Sequence, residues 1–287
     1  DAVANPDGSF SCDYQYTSNP IDAVITKGIE VRDEYSGDQQ MVKQLFECKF
    51  SSLIVPDYIT EIGQYFLSQY PISYELTISK GVRKICTRAF YYSSISKITF
   101  EEDSSLETIE DYAFSRVSGV GNVIIPKSVS SYGKYIFENC DITELKFEGY
   151  SLIREVGSYC FWTMPNLKKL YLPDHLTKIS GNTALVKACP LLEYVWIPNT
   201  ITSNIAKQSF ATDLASLTTI ELQNGFDISA NFSNCTNLSH DALVNMLYAL
   251  RNLTGLSSKS LTLGETNLAK LNESEKNIAI NKNWTLA

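Results

Sequence analysis

Phenylalanine recurs through the middle of the chain at a nearly constant interval. With Leu185 filling the one gap, the steps are 24, 24, 23, 24, 24 and 25 residues, and the positions are Phe66, Phe90, Phe114, Phe137, Phe161, Leu185 and Phe210. Such an interval is typical of stacked repeats, because a single repeat cannot bury its apolar edge without its neighbours. We therefore predict that these side chains form one internal column.

A pair of alternating apolar residues precedes each of these positions, and its second member lies 11 to 14 residues upstream. The pairs are Leu53/Val55, Leu76/Ile78, Ile98/Phe100, Val123/Ile125, Leu145/Phe147, Leu170/Leu172 and Val195/Ile197, followed by one more at Ile220/Leu222. The alternation predicts strands of about three to four residues. A third apolar anchor follows each strand, at Ile62, Ile85, Ile109, Tyr132, Val156, Ile179 and Ile205.

Two segments show the repeat most clearly, at residues 106–114 and 125–140. They resemble the bacterial leucine-rich repeat of the BspA-like type, and the resemblance covers about residues 50 to 238. It implies an α/β fold: a right-handed, horseshoe-like leucine-rich-repeat solenoid, rich in strands, with short irregular or helical convex segments. Proteins of that family are typically exported or cell-surface molecules that are implicated in adhesion.

The two ends of a solenoid need caps, because the last apolar turn would otherwise face water. Residues 1–48 contain one degenerate repeat behind a polar segment, and we interpret them as an N-terminal cap. Residues 49–238 hold the repeats of about 24 residues, and residues 239–287 are interpreted as α/β capping turns with helices.

Helix signals support this interpretation of the C-terminal segment. Ser239 is predicted to be the N-cap of one helix, and Asn272 with Glu275 matches a capping box before another. Trp284 and Leu286 are predicted to form the final strand. The tail is similar to the C-terminal ends of several proteins of the BspA-like family, which implies a complete, capped module.

Charge and composition exclude several classes of function. Lys and Arg number 24 against 32 Asp and Glu, so the formal charge of -8 disfavours nucleic acid as a partner. No apolar run approaches the roughly 20 residues that span a bilayer. His175 and His240 are the only histidines, and no nucleotide-binding or hydrolase motif occurs. We therefore expect no enzyme activity and no cofactor.

The seven cysteines are expected to be buried free thiols. They lie at Cys12, Cys48, Cys86, Cys140, Cys160, Cys189 and Cys235, and no CxxC pair occurs among them. Four of them follow the phenylalanine column by two to four residues, which suits small apolar fillers of one buried column: Cys48, Cys140, Cys189 and Cys235. Acidic runs such as 101–103 could hold calcium, but solvated corners of repeats have the same composition, so no metal site is predicted.

The candidate binding site lies on the outward face of the predicted strands. Residues between the members of an apolar pair, and those just before it, should point away from the core. This places three large aromatic residues on two adjacent strands, bordered by three charged ones: Tyr171, Tyr194 and Trp196, with Lys146, Lys169 and Glu221. Such a group fits a protein-interface hot spot or a sugar-stacking platform, and the alternative is that the aromatic residues pack on one another.

A second aromatic series has a structural interpretation. Tyr112, Tyr135 and Tyr159 each lie two residues before a phenylalanine of the column, so they are expected to form a ladder. A stack that stabilises the repeats fits this spacing better than a cofactor site.

These observations predict a non-enzymatic binding or adhesion protein of the bacterial cell surface. Its expected ligand is a protein or glycan of a host or neighbouring cell, bound through the strand face. We expect a monomer, exported by a signal that is not part of this sequence. The alternative is a structural spacer with no ligand of its own.

Overall fold

The computed structural model describes two compact units, Asp1–Ile142 and Thr143–Ala287. Side chains are described for residues 51–55, 57–156, 159–180, 185–202 and 214–287, and backbone alone for the strand residues 2–4, 10–12, 21–24, 50 and 211–212. Most of the predicted N-terminal cap lies outside the described residues. So do the side chains of Ile205, Phe210, Cys12 and Cys48.

The first unit is a stack of parallel strands. Its strands are β1 (Ala2–Ala4), β2 (Phe10–Cys12), β3 (Ile21–Val24), β4 (Phe50–Val55), β5 (Glu61–Ile62), β6 (Tyr74–Ile78), β7 (Lys84–Ile85), β8 (Ile95–Phe100), β9 (Thr108–Ile109), β10 (Gly121–Ile125) and β11 (Ser131–Tyr132). One sheet has the order β3-β4-β6-β8, and β10 contacts β8. A second has the order β5-β7-β9-β11, and β1 pairs antiparallel with β2.

The second unit repeats this architecture and ends in helices. Its strands are β12 (Ile142–Phe147, which begins at the last residue of the first unit), β13 (Glu155–Val156), β14 (Phe161–Trp162), β15 (Lys169–Tyr171), β16 (Lys178–Ile179), β17 (Val186–Lys187), β18 (Tyr194–Ile197), β19 (Ala211–Thr212), β20 (Thr219–Leu222), β21 (Ala230–Asn231), β22 (Lys259–Thr262) and β23 (Trp284–Leu286). The described helices are α1 (His240–Ala249), α2 (Glu265–Leu268) and α3 (Glu273–Ile280). The predicted β-solenoid is confirmed.

Strands lie on three faces of the described part of the second unit. The order β12-β15-β18-β20 makes one parallel sheet, β13 pairs with β16, and β14-β17-β19 makes a third parallel set. The sequence predicted only the first of these faces as strands. The other strands have two residues each, which is too short for an alternating pattern to reveal.

Most predicted inward residues are buried. Leu76 and Ile78 of β6 are fully buried, as is the anchor Ile85. Phe100, Phe147 and Ile179 differ from the prediction because they are only partly buried. Several strands are also longer than predicted, at five or six residues, because one more buried residue precedes the apolar pair, as Tyr74 does in β6.

The phenylalanine column is confirmed within the first unit. Phe114 stacks between two other rings, with centroid distances of 5.2 Å to Phe90 and 5.5 Å to Phe137 and interplanar angles of 8° and 12°. Phe66 contacts Phe90 edge-on instead, at 6.0 Å and 88°. Burial of these rings removes a large apolar area from water in each of these turns.

Two members of the predicted column are out of register by one residue. The amide of Leu67, not that of Phe66, donates a hydrogen bond to the carbonyl of Ala89. The equivalent bond of the next turn runs from Phe90 to Ala113, so Leu67 is the residue that corresponds to Phe90. The offset of Phe66 by one residue explains its edge-on contact. In the second unit Phe161 pairs with Val186, not with Leu185. The assignment of Leu185 is therefore wrong, because the β-branched Val186 takes the extended position, although Leu185 is also buried.

Left-handed backbone flanks the column in every described turn. When Leu67 and Val186 replace Phe66 and Leu185 as its members, non-glycine residues with φ between 52° and 71° lie two before or two after each member: Tyr65 and Gln69, Arg88 and Tyr92, Tyr112 and Arg116, Tyr135 and Asn139, Tyr159 and Thr163, and Ala188. This conformation costs about 1–2 kcal/mol per residue. Hydrogen bonds to the next turn offset that cost: the amides of Arg88, Phe90 and Tyr92 donate at 3.1, 2.9 and 2.9 Å.

The five cysteines with described side chains are free and buried: Cys86, Cys140, Cys160, Cys189 and Cys235. The prediction of buried free thiols is confirmed for these five. Cys140 donates from Sγ to the carbonyl of Phe114 at 2.7 Å, so the thiol also links two turns.

Two of the three described C-terminal helices, α1 and α3, begin where the sequence predicts, and α2 was not predicted. Ser239 accepts a hydrogen bond from the amide of Ala242 at 3.1 Å, and Asn272 with Glu275 forms the capping box. Helix α1 packs against β20 and α3, and β23 ends the sheet β21-β22-β23. Among the residues with described structure, no helix has the length and apolar character needed to cross a membrane.

Candidate functional site

Adjacent strands of the second unit bring the predicted site residues together. Residue Tyr171 of β15 pairs with Trp196 of β18, which in turn pairs with Glu221 of β20. One step earlier along the same strands, Lys169 pairs with Tyr194. Each of these residues alternates with a buried one, such as Leu170 or Val195, so the side chains share the outward face. We call Tyr171, Tyr194, Trp196, Lys146, Lys169 and Glu221 the strand-face patch.

The patch is held by contacts among its own members. The rings of Tyr171 and Tyr194 lie 5.1 Å apart at an angle of 45°. Nζ of Lys146, on β12, lies 4.5 Å from the centre of the Tyr171 ring and forms an ion pair with Glu144. The hydrogen bond to Glu144 raises the pKa of Lys146, so the ammonium over the Tyr171 ring stays charged at neutral pH.

Tyr194 and Glu221 form the strongest polar contact of the patch. The Tyr194 hydroxyl donates to Oε2 of Glu221 at 2.6 Å. Burial raises the pKa of Tyr194, and the hydrogen bond to Glu221 raises it further. The phenol is therefore a fixed donor at neutral pH, and the exposed Glu221 carboxylate keeps further lone pairs for other donors.

The aromatic residues of the patch are only partly exposed. Tyr171, Tyr194 and Trp196 are all half-buried, whereas Lys169 and Glu221 are exposed. Packing of the aromatic residues on one another, which was the alternative interpretation, thus buries part of their surface. The accessible parts of Tyr171 and Tyr194 are held in place, because Tyr194 and Lys146 contact the Tyr171 ring and Glu221 binds the Tyr194 hydroxyl.

An open cleft adjoins the patch where β20 meets α1. It has a volume of about 300 Å³ and is lined by Thr219, Ile220, Glu221, Leu222, Asn224, Ala242, Asn245, Tyr248 and Ala249. Glu221 belongs both to the patch and to this lining. The cleft was not predicted from the sequence, because the 24-residue period gives no information on how a helix that follows the last repeat packs.

The predicted tyrosine ladder forms in the first unit between Tyr112 and Tyr135, whose rings stack at 5.0 Å and 14°. Tyr159 belongs to the second unit, where it makes an edge-on contact with Trp162 at 4.4 Å.

An arginine that was not predicted as part of the ladder lies beside it in the first unit. The Arg88 guanidinium lies 5.9, 5.7 and 5.2 Å from the rings of Tyr65, Tyr91 and Tyr112, the three rings that surround it.

The acidic corners make structural contacts. Glu101 accepts a hydrogen bond from the amide of Lys80 at 3.1 Å. Glu110 binds the amide and hydroxyl of Thr87 and pairs with Lys84 at 2.8 Å. In the part of the chain that the structure describes, no three His, Cys, Asp or Glu residues are grouped so that they could hold a metal ion.

Several solved structures are similar to this chain. The pneumococcal vaccine antigen PcpA is 14% identical, with 95% of this chain and 89% of that one covered and a TM-score of 0.28. A leucine rich cell surface protein of Faecalibacterium prausnitzii A2-165 is 16% identical over 97% and 95%, with a TM-score of 0.30. A leucine-rich repeat protein of Bacteroides ovatus is 15% identical over 90% and 82%, with a TM-score of 0.33.

No curated protein matches the chain significantly. A family model does match it, under the description "BspA type Leucine rich repeat region", with six copies. The matched residues are 42–155, 122–240 and 154–283, which together cover most of the sequence. They include the whole strand-face patch. The chain therefore belongs to the BspA type of leucine-rich-repeat proteins.

Proposed function

We propose that this protein is a non-enzymatic recognition protein of the bacterial cell surface that binds a protein or glycan through the strand-face patch. The observation that carries the proposal is the joined set of aromatic and charged side chains on β12, β15, β18 and β20. Aromatic rings bordered by charge are the composition of interface hot spots.

Preorganisation is the physical basis of binding by such a surface. Ordering a long side chain on binding costs about 0.5–1.5 kcal/mol. Tyr171 is already held between Tyr194 and the Lys146 ammonium, and Tyr194 is fixed by Glu221. Binding to these groups therefore incurs little of this ordering cost, so a modest contact area can give useful affinity.

Location at the cell surface is supported by the family. Proteins of the BspA-like family are typically exported or cell-surface molecules, and this chain belongs to that type. A rigid surface on the outside of a bacterium has host and neighbouring cells within reach, which fits a binding role.

The chemistry of the cysteines supports a non-enzymatic role. A nucleophilic cysteine needs an accessible thiolate near neutral pH. Burial raises the pKa of Cys86 to about 12, of Cys189 to about 11 and of Cys235 to about 12. These thiols stay protonated and inaccessible, which suits core packing.

The proposal is tested with a double variant of the patch. The protein and its Tyr171→Ala/Trp196→Ala variant are applied to arrays of immobilised extracellular matrix proteins and of glycans. We expect the unmodified protein to bind at least one array member, and the double variant to lose about tenfold or more of that affinity.

A matched control removes two exposed aromatic residues outside the strand face. The Tyr58→Ala/Tyr150→Ala variant removes side chains that are 57% and 80% exposed, and it should bind as the unmodified protein does. Equal binding by the folded patch variant would exclude the patch as the site. Failure of the unmodified protein to bind any array member would contradict the proposed function and favour the spacer.

A further inference from the structure

We propose that the cleft between β20 and α1 binds an uncharged, hydroxyl-rich group, a sugar residue of a glycan, with Glu221 and Asn245 as its hydrogen-bonding residues. This inference rests on the proposed function and names the ligand class of the same surface. It concerns a region that the repeat pattern does not define.

The cleft has one wall from the sheet and one from the helix. Thr219 and Glu221 are the outward residues of β20, because Ile220 and Leu222, which alternate with them, are buried. Ala242, Asn245, Tyr248 and Ala249 recur at the spacing of a single helix face. The helix thus closes one side of the strand-face patch and makes a concave site from a flat sheet edge.

The size of the cleft fits a small polar group better than a protein interface. Its volume of about 300 Å³ is at the lower end of the range of ligand sites. A stable protein interface needs about 800 Å² from each partner around an apolar core. The accessible part of the patch is small, since its three aromatic side chains are half-buried.

The polar lining suits hydroxyl groups. The Asn245 and Asn224 amides each offer donors and acceptors, and Thr219 offers a hydroxyl that does both. A sugar hydroxyl also donates and accepts, so each such group can pair with one of these side chains. Glu221 accepts from Tyr194 and keeps further lone pairs for hydroxyl donors.

Charge selects against acidic ligands. Glu221 is the one ionisable acid in the lining, and the lining contains no lysine or arginine. An acidic sugar would bring a second negative charge next to this carboxylate without a cation in the cleft. Trp196 lies opposite Glu221 on the next strand, so an apolar sugar face has an aromatic neighbour beside the polar wall.

The test uses the full chain with defined small probes. Methyl glycosides of glucose, mannose, galactose and N-acetylglucosamine are titrated into the labelled protein, and the side-chain amide signals of Asn224 and Asn245 are followed by NMR. N-acetylneuraminic acid and Nα-acetyl-lysine amide serve as the anionic and cationic probes. We expect at least one neutral glycoside to bind with a dissociation constant on the order of 1 mM.

Two variants locate the binding. Glu221→Gln and Asn245→Ala should each weaken the glycoside about tenfold. Glu102→Gln and Asn277→Ala are the matched controls, because both replace exposed residues outside the cleft, and they should leave binding unchanged. Thermal melts of all four variants establish that each is folded.

The outcomes separate this inference from the proposed function. Glycoside binding that survives Glu221→Gln and Asn245→Ala would place the sugar elsewhere and overturn the inference. Binding of Nα-acetyl-lysine amide without any neutral glycoside would assign the cleft to a basic side chain of a protein ligand. If no probe binds while the Tyr171→Ala/Trp196→Ala variant still loses array binding, the sugar site is wrong and the recognition surface stands.

Discussion

The Tyr194 hydroxyl donates a hydrogen bond to Glu221 at 2.6 Å, from β18 to the adjacent strand β20. This bond joins the aromatic part of the patch to the lining of the cleft, because Glu221 belongs to both. It also orients one side of the carboxylate and leaves the other free. A single hydroxyl therefore positions a group on which both proposals depend.

Tyr194→Phe should remove this bond and keep the ring. At neutral pH we expect a loss of about 0.5–1.5 kcal/mol in the free energy of unfolding. The pKa of Tyr194 is raised in the folded state, so above about pH 10 the unfolded phenol ionises first and stability falls. Urea unfolding between about pH 9 and 11 should show a shallower fall in the variant than in the unmodified protein.

Tyr150→Phe is the control for that measurement. Its ring is 80% exposed, so removing its hydroxyl should change the free energy of unfolding little. Identical profiles for Tyr194→Phe and the unmodified protein would show that the bond to Glu221 does not stabilise the fold.

Phe114→Ala should be among the most destabilising substitutions in the first unit. The ring is fully buried between Phe90 and Phe137, and its loss leaves a cavity. We expect a cost of about 3–5 kcal/mol by urea unfolding, and Phe114→Leu should cost less because it refills part of the space. The half-buried Phe100 provides the control, and Phe100→Ala should cost clearly less. Equal costs at the two positions would contradict a continuous internal column.

Arg88 should stabilise the first unit through its aromatic neighbours. Its guanidinium lies within 6 Å of three tyrosine rings and donates to the Tyr65 hydroxyl at 2.9 Å. Arg88→Gln is expected to lower the free energy of unfolding by about 1–3 kcal/mol. Arg83, on the same turn, forms an exposed pair with Glu107, so Arg83→Gln should cost about 0.5 kcal/mol or less. Equal costs would exclude a special role of the tyrosines.

Much of the repeat architecture can be predicted from the sequence, because the ring stacks of the column join residues about one period apart. The stacking of Phe90, Phe114 and Phe137 follows from their spacing alone. Spacing does not fix register within one residue, since Leu67 and Phe66 are both apolar and both buried. The hydrogen bond from Leu67 to Ala89 and the left-handed residues on either side of Leu67 identify the equivalent position.

The left-handed residues could not be predicted for a related reason. Glycine normally marks this conformation, yet here tyrosine, arginine and asparagine adopt it. Bonds between turns impose it, and these depend on the stack as a whole. The patch was predictable because outward strand residues alternate with the core, whereas the cleft depends on how α1 packs beside β20.

His240 should make the C-terminal helices sensitive to pH. Its Nδ1 lies 3.3 Å from Asp241, and its Nε2 lies 3.0 Å from Glu275 of α3. Hydrogen bonds to Asp241 and to Glu275 raise the pKa of His240. The stabilisation of the folded state by protonated His240 is therefore fully present below the unfolded pKa of about 6.5. It is lost as the pH rises through the folded pKa.

Glu275→Gln tests this link between α1 and α3, since glutamine can retain the capping box. NMR titration should give a His240 pKa above about 6.5 that falls in the variant. The melting temperature of the unmodified protein should decrease more between about pH 5.5 and 8 than that of the variant. A His240 pKa that is the same in both proteins would contradict the link.

Lys282 should fix the C-terminal end of α1. Its Nζ donates to the carbonyls of Leu247, Tyr248 and Leu250 at 3.0, 2.6 and 2.9 Å, which replaces the glycine cap that this helix lacks. Lys282→Met keeps the aliphatic stem and removes the donors, so we expect a loss of about 1–3 kcal/mol and faster hydrogen exchange in the last turn of α1.

Lys276 is the matched control for this variant, because it lies on α3 and pairs with Glu273 in an exposed i,i+3 contact at 2.9 Å. Lys276→Met should cost about 0.5 kcal/mol or less and leave exchange in α1 unchanged. Tyr248 lines the cleft, so loosening this end of the helix should also weaken any ligand bound there. Unchanged exchange in folded Lys282→Met would show that packing against β20 alone holds the helix end.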